Sequence, residues 1–360
     1  MLKPGDTIGI LGGGQLARMI AMAAAPLGLK AHVFAPKGDN PAFEVSGHFT
    51  EANYDDFPAL SAFSEAVSVI TYEFENVPAE TAAFLDSRKP VLPNPKALET
   101  TQDRLVEKTF IRSLGLSCPD FIAVNSLEDL KAAVSSLGTP SILKTRRFGY
   151  DGKGQARIAD EASISSAWDD IGHAPAILEA YVPFSREISV VAARSQSGDV
   201  KAFEPCENEH RHHILSRTLL PAAVSHRTVL AAIEAAERIG AALAYVGVFA
   251  VEFFVVGSGD DETLLVNEIA PRVHNSGHWT IDGAETSQFE QHVRAIAGWP
   301  LGSTKRRGKI EMINLIGDDV ENWPDLVAEP GLKLHLYGKR EARPGRKMGH
   351  ATRVTPEKDT

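Results

Sequence analysis

The chain is poor in cysteine: Cys118 and Cys206 are its only two among 360 residues. With no metal-ligand spacing between them, they exclude a disulfide framework and read as packing residues. No apolar run is long enough to span a bilayer, since the best stretch, Met19 to Leu29, is broken by Pro26 and Gly28. Nor is there an excess of positive charge. Lys and Arg number 37 against 47 Asp and Glu, a net charge of −10 that argues against nucleic acid as the main partner. Repeats and low-complexity tracts are absent. The start, Met1-Leu-Lys-Pro-Gly-Asp6, runs into a strand without the order of a secretion signal, so a soluble, cytoplasmic protein is expected.

What is present is an ordinary globular composition, 43% apolar and 23% charged, on a chain too long for one core. Four domains are expected: residues 1–100, 101–184, 185–300 and 301–360. The first alternates strand and helix (Thr7 to Leu11, a helix from Gln15, Ala31 to Ala35, a helix near Phe57, Val67 to Thr71, a helix near Ala79), which predicts a doubly wound α/β module. Pro90, Pro93 and Pro95 punctuate its end. Two helical patterns follow, the second over Asp103 to Leu114 with apolar Leu105, Val106, Phe110 and Ile111. A small α+β unit reaches Pro183, a strand-rich region with an Ala-rich helix (Thr228 to Ala244) reaches Trp299, and a compact β-rich cap closes the chain with strands Lys309 to Leu315 and Leu332 to Tyr337.

Two carboxylates sit inside apolar runs: Glu252 in Val246-Gly-Val-Phe-Ala-Val-Glu-Phe-Phe-Val-Val256, and Glu268 in Leu264-Leu-Val-Asn-Glu-Ile-Ala-Pro271. An ionised carboxylate in such company calls for a cation or donors. The turn Gly257-Ser-Gly-Asp-Asp261 makes the runs antiparallel neighbours, so Glu252 and Glu268, with Asn267 beside them, form a candidate Mg2+ site. The plainer alternative places both on a solvent face. Beyond Glu268, Arg272, His274 and Asn275 compose a candidate anion pocket, to which Arg346 and Lys347 add charge if the cap folds over it.

Three further segments carry polar signals. Gly9-Ile-Leu-Gly-Gly-Gly-Gln-Leu-Ala17 turns a strand into a helix and satisfies G-x-G-x-x-G/A, yet Val33-Phe-Ala-Pro36 offers no acid for a ribose. Its amides suit a phosphorylated ligand, a dinucleotide, or nothing but tight packing. In Thr71-Tyr-Glu-Phe-Glu-Asn-Val-Pro78, Glu73 and Asn76 lie at the carboxyl edge of the sheet, as ligand contacts or as a solvated loop in which Asn76 caps a helix. In Ile142-Leu-Lys144 through Gly149-Tyr-Asp-Gly-Lys-Gly-Gln155, a strand ends in Lys144 and enters a glycine- and cation-rich turn able to fold over polyphosphate, without the Walker order; a charged hairpin is the alternative. Glu179-Ala-Tyr-Val182 with Glu187 can face an adenine and ribose. Glu207 to His213 contains three His but no compact tetrahedral set for zinc.

Together these segments resemble the ATP-grasp superfamily and, within it, the N5-carboxyaminoimidazole ribonucleotide synthetases. GGGQL at Gly12 to Leu16, EFENVP at Glu73 to Pro78, GYDGKGQ at Gly149 to Gln155, NEIAPRVHNSGHWT at Asn267 to Thr280 and RPGRKMGH at Arg343 to His350 occur in the family's order. Ala17 and Phe148 stand where the family more often has Gly. The resemblance implies an α/β and α+β ATP-grasp fold with a Rossmann-like N-terminal domain, a lid, a C-terminal ATP-grasp domain and a β-rich cap. It implies the substrates ATP, bicarbonate and 5-aminoimidazole ribonucleotide, Mg2+ as cofactor, and a homodimer that binds neither nucleic acid nor membrane.

Residue by residue, it assigns the nucleotide to Arg104, Lys144, Gly149, Tyr150, Asp151, Gly152, Lys153, Gly154, Glu179, Ala180, Tyr181, Val182, Glu187, His210, Asn267 and Glu268. Metal falls to Glu252 and Glu268, and bicarbonate chemistry to Arg272, His274, Asn275 and Lys347, with Asp151 as proton acceptor. The ribonucleotide falls to Gly14, Gln15, Leu16, Glu73, Asn76, Tyr150 and Lys153, with Lys339 and Arg346 for its phosphate. Other ATP-grasp ligases, such as a formate-dependent glycinamide ribonucleotide transformylase or a biotin carboxylase, share this machinery. A Rossmann oxidoreductase and a noncatalytic nucleotide sensor are the alternatives from other classes.

Overall fold

A computed structural model describes residues 1–149 and 152–357. The N-terminal sheet is parallel: β1 (Thr7–Leu11), β2 (Lys30–Ala35), β3 (His48–Glu51) and β4 (Val69–Tyr72), in the order β3-β2-β1-β4. Buried Ile8, Ile10, Val33 and Ile70 make its strands apolar on both faces, as helices on either side require. The carboxyl ends of β1 and β4 therefore point together, at Gly12 and Glu73. A helix over Gln15–Ala24 packs on one face and a helix over Phe57–Glu65, capped by Asp56, lies on the other side, where Phe63 meets Phe34.

The lid is a four-stranded antiparallel sheet: β5 (Phe121–Val124), β6 (Ser141–Thr145), β7 (Gln155–Ile158) and β8 (Ala176–Ala180), ordered β5-β8-β6-β7. Leu130, Val134, Leu143, Trp168 and Leu178 fill its own small core.

The third sheet has nine strands: β9 (Arg186–Arg194), β10 (Val200–Ala202), β11 (Cys206–Arg211), β12 (Ile214–Leu220), β13 (Gly247–Val256), β14 (Thr263–Ala270), β15 (Lys309–Ile316), β16 (Lys333–Leu336) and β17 (Lys347–Thr355). Its order is β14-β13-β9-β11-β12-β15-β17-β16, with β10 beside β9. The residues expected to form a cap are hydrogen-bonded into this sheet, because Ile310 to Ile313 of β15 pair with β12. Lys347 is thus held by a strand shared with the main sheet. A helix over His226–Ala242 buries Ala232, Ala236 and Ile239 against one face, and a helix over Gln288–Ala297 covers the other and reaches the N-terminal domain. There His292 takes a hydrogen bond from Val248 N on Nδ1 (3.0 Å), and its other nitrogen meets Thr71 Oγ1 (2.8 Å).

One expectation changes sense. The helix spans Arg104–Ser113, with Asp103 as its N-cap, but its buried stripe is Glu107, Lys108 and Ile111. Val106 is exposed, and Leu105, Val106 and Phe110 line a shallow surface groove. The reason is electrostatic and appears in the site below. Among the described residues, no helix is long and apolar enough to cross a membrane.

Candidate active site

A cleft of about 1400 Å³ opens between the three sheets. That exceeds the roughly 300–1,000 Å³ of a site for one small molecule and leaves room for two nucleotides. Its floor is β13 and β14, where Glu252 is the direct cross-strand partner of Glu268, with a β-bulge just after Glu252. A solvent-facing placement is therefore wrong for Glu252, which shows only 16% of its side chain, while Glu268 shows 38% into the cleft. Burial, with Glu268 opposite, pushes the Glu252 carboxyl well above the usual carboxylate range. The neighbouring Asn267 Oδ1 is buried without a hydrogen-bond partner among the described residues. Two facing acids and an orphaned amide oxygen fit a hard divalent cation. Among the described residues no three His, Cys, Asp or Glu side chains form a metal cage by themselves.

On the lid side lies a charged cluster. Glu179 accepts from Lys144 Nζ at 2.7 Å, and Lys108 Nζ lies 3.3 Å from its other oxygen while donating to Asn267 O at 2.7 Å. Burial alone would raise the Glu179 carboxyl, but Lys108, Lys144 and Arg104 hold it down to about 2. Glu107 accepts from Ile269 N at 2.7 Å, and burial with Glu268 nearby raises it to about 8. This explains the helix over Arg104–Ser113: its polar stripe turns inward to bind the Glu268 strand and the lid. Sequence reasoning missed Glu107 and Lys108, though two adjacent charges on the same stripe as Ile111 were the available signal.

Arg104 reaches Glu268 Oε2 and the Gly149 carbonyl, each at 3.4 Å. Gly149, Gly152, Lys153 and the stretch Glu179 to Val182 line the cleft, as do Glu187 and His210, whose carboxylate and Nδ1 meet at 2.7 Å. Burial disfavours the His210 cation, but Glu187 and Glu252 outweigh it and raise its pKa. Tyr150 and Asp151 lie outside the described residues. Gly154 is not among the lining residues. Phe148 adopts φ 62°, a left-handed conformation that favours glycine, in keeping with the Gly that the family resemblance leads one to expect there.

At the far wall, Arg272 grips Glu75 through both guanidinium and carboxylate, with Nη2 to Oε1 at 3.3 Å. Burial opposes the Glu75 charge, yet Arg272 and Lys347 leave its pKa below the usual value. Glu75 was not singled out from sequence, since an ion pair between positions so distant in the chain leaves no local mark. His274 Nε2 lies 3.2 Å from Glu252 Oε1, and burial plus Arg272 and Lys347 keep the ring neutral. Asn275 exchanges two amide hydrogen bonds with Asn314, at 2.9 and 2.7 Å, leaving one N–H for a ligand. Lys347 lines the same wall.

The glycine turn corrects another expectation. Two of its amides go to Glu73, Gly14 N–H donating to one carboxylate oxygen and Ala17 N–H to the other at 2.9 Å, while Gly12 N–H donates to Phe34 O. A Cβ on Gly14 would stand 2.7 Å from Glu73 Oε1, and one on Gly12 would also meet that side chain, so these two glycines make way for the carboxylate. Burial raises the Glu73 carboxyl although the Ala17, Gly14 and Leu16 amides draw it down. Gly14, Gln15, Leu16, Glu73 and Asn76 all line the cleft. Asn76 does not cap the following helix, whose N-cap is Pro78. Lys339 and Arg346 are not lining residues. Lys339 donates to Lys347 O at 2.6 Å, and Arg346 pairs with Asp39 at 2.7 Å. Burial, with Arg346 and Lys347 near, lowers Lys339 to about 8.

Three family models match in sequence order: a ribonucleotide synthetase preATP-grasp domain over residues 5–102, an ATP-grasp domain over 109–289, and a phosphoribosylaminoimidazole carboxylase C-terminal domain over 311–360. The N5-carboxyaminoimidazole ribonucleotide synthase of Brucella melitensis biotype 1 is 52% identical over 99% of this chain and 98% of its own length. A crystal structure of an ADP complex of an N5-carboxyaminoimidazole ribonucleotide synthetase superposes with a TM-score of 0.95 at 40% identity, covering 99% of this chain and 94% of that one. The Aspergillus clavatus N5-carboxyaminoimidazole synthase, in complex with ADP and 5-aminoimidazole ribonucleotide, gives 0.91 at 29% identity over 98% and 94%.

Proposed function

The chain belongs to the N5-carboxyaminoimidazole ribonucleotide synthase family of ATP-grasp ligases, and on that footing we propose how its cleft carries the reaction. ATP, bicarbonate and 5-aminoimidazole ribonucleotide give N5-carboxyaminoimidazole ribonucleotide, ADP and phosphate, a step of purine biosynthesis. The observation that carries the assignment of roles is the Glu252–Glu268 pair, set between the Lys144–Glu179 cluster and the Arg272–His274 wall.

Lys144 and Arg104 hold the polyphosphate, with Gly149, Gly152 and Lys153 lining the cleft beside it. The stretch Glu179 to Val182 receives the adenine, and Glu187 with His210 faces the ribose. Glu252, Glu268 and Asn267 Oδ1 would hold Mg2+, which neutralises phosphate charge during transfer. Bicarbonate is a weak electrophile, so the γ-phosphoryl group passes to it and forms carboxyphosphate. Arg272, Lys347, the His274 N–H and the free Asn275 N–H bind this anion, and the closed lid keeps water from it.

The carboxyl group then passes to the exocyclic amine of the ribonucleotide. That substrate lies against Gly14, Gln15, Leu16, Glu73 and Asn76, with Lys153 on the loop side; Lys339 and Arg346, outside the cleft lining, would reach its phosphate only by leaving Lys347 O and Asp39. Asp151 is assigned the amine proton and Tyr150 the ring. The enzyme acts as a homodimer. Coupled ADP release, measured with each of the three substrates omitted in turn, tests the reading; turnover with formate in place of bicarbonate would overturn it.

A further inference from the structure

Beneath the Arg272–His274 wall runs a chain of buried polar side chains that none of the assigned roles uses. Thr218 Oγ1 donates to Asn208 Oδ1 at 3.1 Å, and Asn208 Nδ2 donates to Ser189 Oγ at 2.9 Å. Ser189 Oγ lies 2.7 Å from Ser276 Oγ, which lies 2.8 Å from His274 Nδ1. Thr218, Ser189 and Ser276 are fully buried and Asn208 nearly so. These residues come from three different strands and the turn after β14, so the chain is built by the fold rather than by local sequence.

We propose that Thr218, Asn208, Ser189 and Ser276 are positioning residues that fix His274 as the tautomer with its proton on Nε2, aimed at Glu252 and the acceptor-anion site. Donor bookkeeping gives the direction. The anchor is the His274 end: a backbone N–H can only donate, so the Ser276 N–H directed at His274 Nδ1 marks that nitrogen as an acceptor, and the Asn208 amide, set between two hydroxyls that can each donate or accept, takes the orientation that agrees with it. Ser189 Oγ accepts from Asn208 and turns its own proton to Ser276 Oγ at 2.7 Å, the shorter contact, with Cys206 Sγ, which can itself donate, 3.2 Å away. Ser276 Oγ accepts that proton and gives its own to His274 Nδ1. The Ser276 backbone N–H points at the same nitrogen from 3.4 Å, a weak contact that a bare Nδ1 accepts and a protonated one would lose. The remaining proton must sit on Nε2, 3.2 Å from Glu252 Oε1. His274 thereby meets the site as a donor whose direction is set some four residues away, an outer-shell arrangement of the kind that orients imidazoles elsewhere.

The tautomer itself is independent of the reaction assigned above; its benefit to turnover rests on the reading that His274 N–H binds the bicarbonate-derived anion. The test uses the full chain with 15N-labelled histidine, and the His274 signals are identified by their loss in His274→Gln. Correlation of ring nitrogens with ring protons reports which nitrogen carries the proton. The wild type is expected in the Nε2–H form. Asn208→Asp keeps shape but exchanges donor for acceptor, which reverses every link and is expected to move the proton to Nδ1. Ser276→Ala is expected to give a mixture of tautomers, and Thr218→Val, nearly isosteric, a smaller shift the same way. These last two keep the proposal testable if Asn208→Asp fails to fold.

In steady state, Ser276→Ala is expected to lower bicarbonate-dependent kcat on the order of tenfold while the KM for ATP stays put. An Nδ1–H ring in the wild type, or an unchanged Nε2–H ring in folded Asn208→Asp or Ser276→Ala, overturns the relay. Tautomers that shift as expected while kcat does not would uphold the relay and remove His274 from the anion site.

Discussion

Arg272, on the turn after β14, is clamped by Glu75, which follows β4 of the N-terminal sheet. A residue of the N-terminal domain thus orients a cation of the ATP-grasp domain. Glu75→Gln keeps a hydrogen-bonding shape but removes the charge and leaves Arg272 free to swing. We expect kcat to fall on the order of tenfold or more, and stability to fall by roughly 2 kcal/mol, discounted from the 3–5 kcal/mol of a fully buried pair because both side chains touch solvent. Urea titration and ADP release measure the two effects separately.

Glu268→Gln should abolish turnover and leave the fold intact. An amide in place of the carboxylate keeps the strand pairing opposite Glu252 but weakens the cation's hold. Circular dichroism and the coupled ADP assay, run across a Mg2+ series, check this; full activity at ordinary Mg2+ would remove the metal assignment.

Lys347→Met should depress bicarbonate-dependent ADP formation more than ATP affinity. The side chain lines the wall with Arg272 and His274, away from the Lys144–Glu179 cluster. Unchanged bicarbonate kinetics would clear Lys347 of that role.

Gly14→Ala brings a Cβ to 2.7 Å from Glu73 Oε1 and must push that carboxylate out of the turn amides. The expected result is a raised KM for 5-aminoimidazole ribonucleotide, with ATP binding spared, if the turn and Glu73 form the ribonucleotide end of the cleft as proposed. Equal loss of affinity for both nucleotides would contradict that division.

Acid stability should carry the mark of His292. Burial lowers its pKa from 6.5 to about 4, so the native state holds it neutral while the unfolded chain protonates it below 6.5. Its stabilising contribution is complete above that value, falls as pH drops, and is lost by about pH 4. Urea midpoints taken from pH 7 to 5 should fall for the wild type and less steeply for His292→Asn, whose amide still accepts from Val248 N.

Much of the site was legible because it is written in short-range patterns. An acid inside an apolar alternating run, twice, with a turn between, is enough to pair Glu252 with Glu268. Glycine turns and the Arg272–His274–Asn275 run were equally local. What stayed hidden was set by contacts across the chain. The apolar side chains of the Arg104–Ser113 helix suggested one core face, but Lys108 and Glu107 gain more from Glu179 and the Ile269 amide than Val106 would from burial. Glycines before a helix signal close approach without saying what approaches, and here it was Glu73. The relay under His274 joins residues whose individual sequence contexts are unremarkable serines and an asparagine.

The pairing of β15 with β12 has a bearing on how this chain can be divided. Cutting near residue 300 would strip the neighbour from a strand with apolar Leu215 and Leu220, leaving open backbone donors and acceptors along it. Such a fragment should self-associate through that raw border instead of persisting as a smaller nucleotide-binding unit.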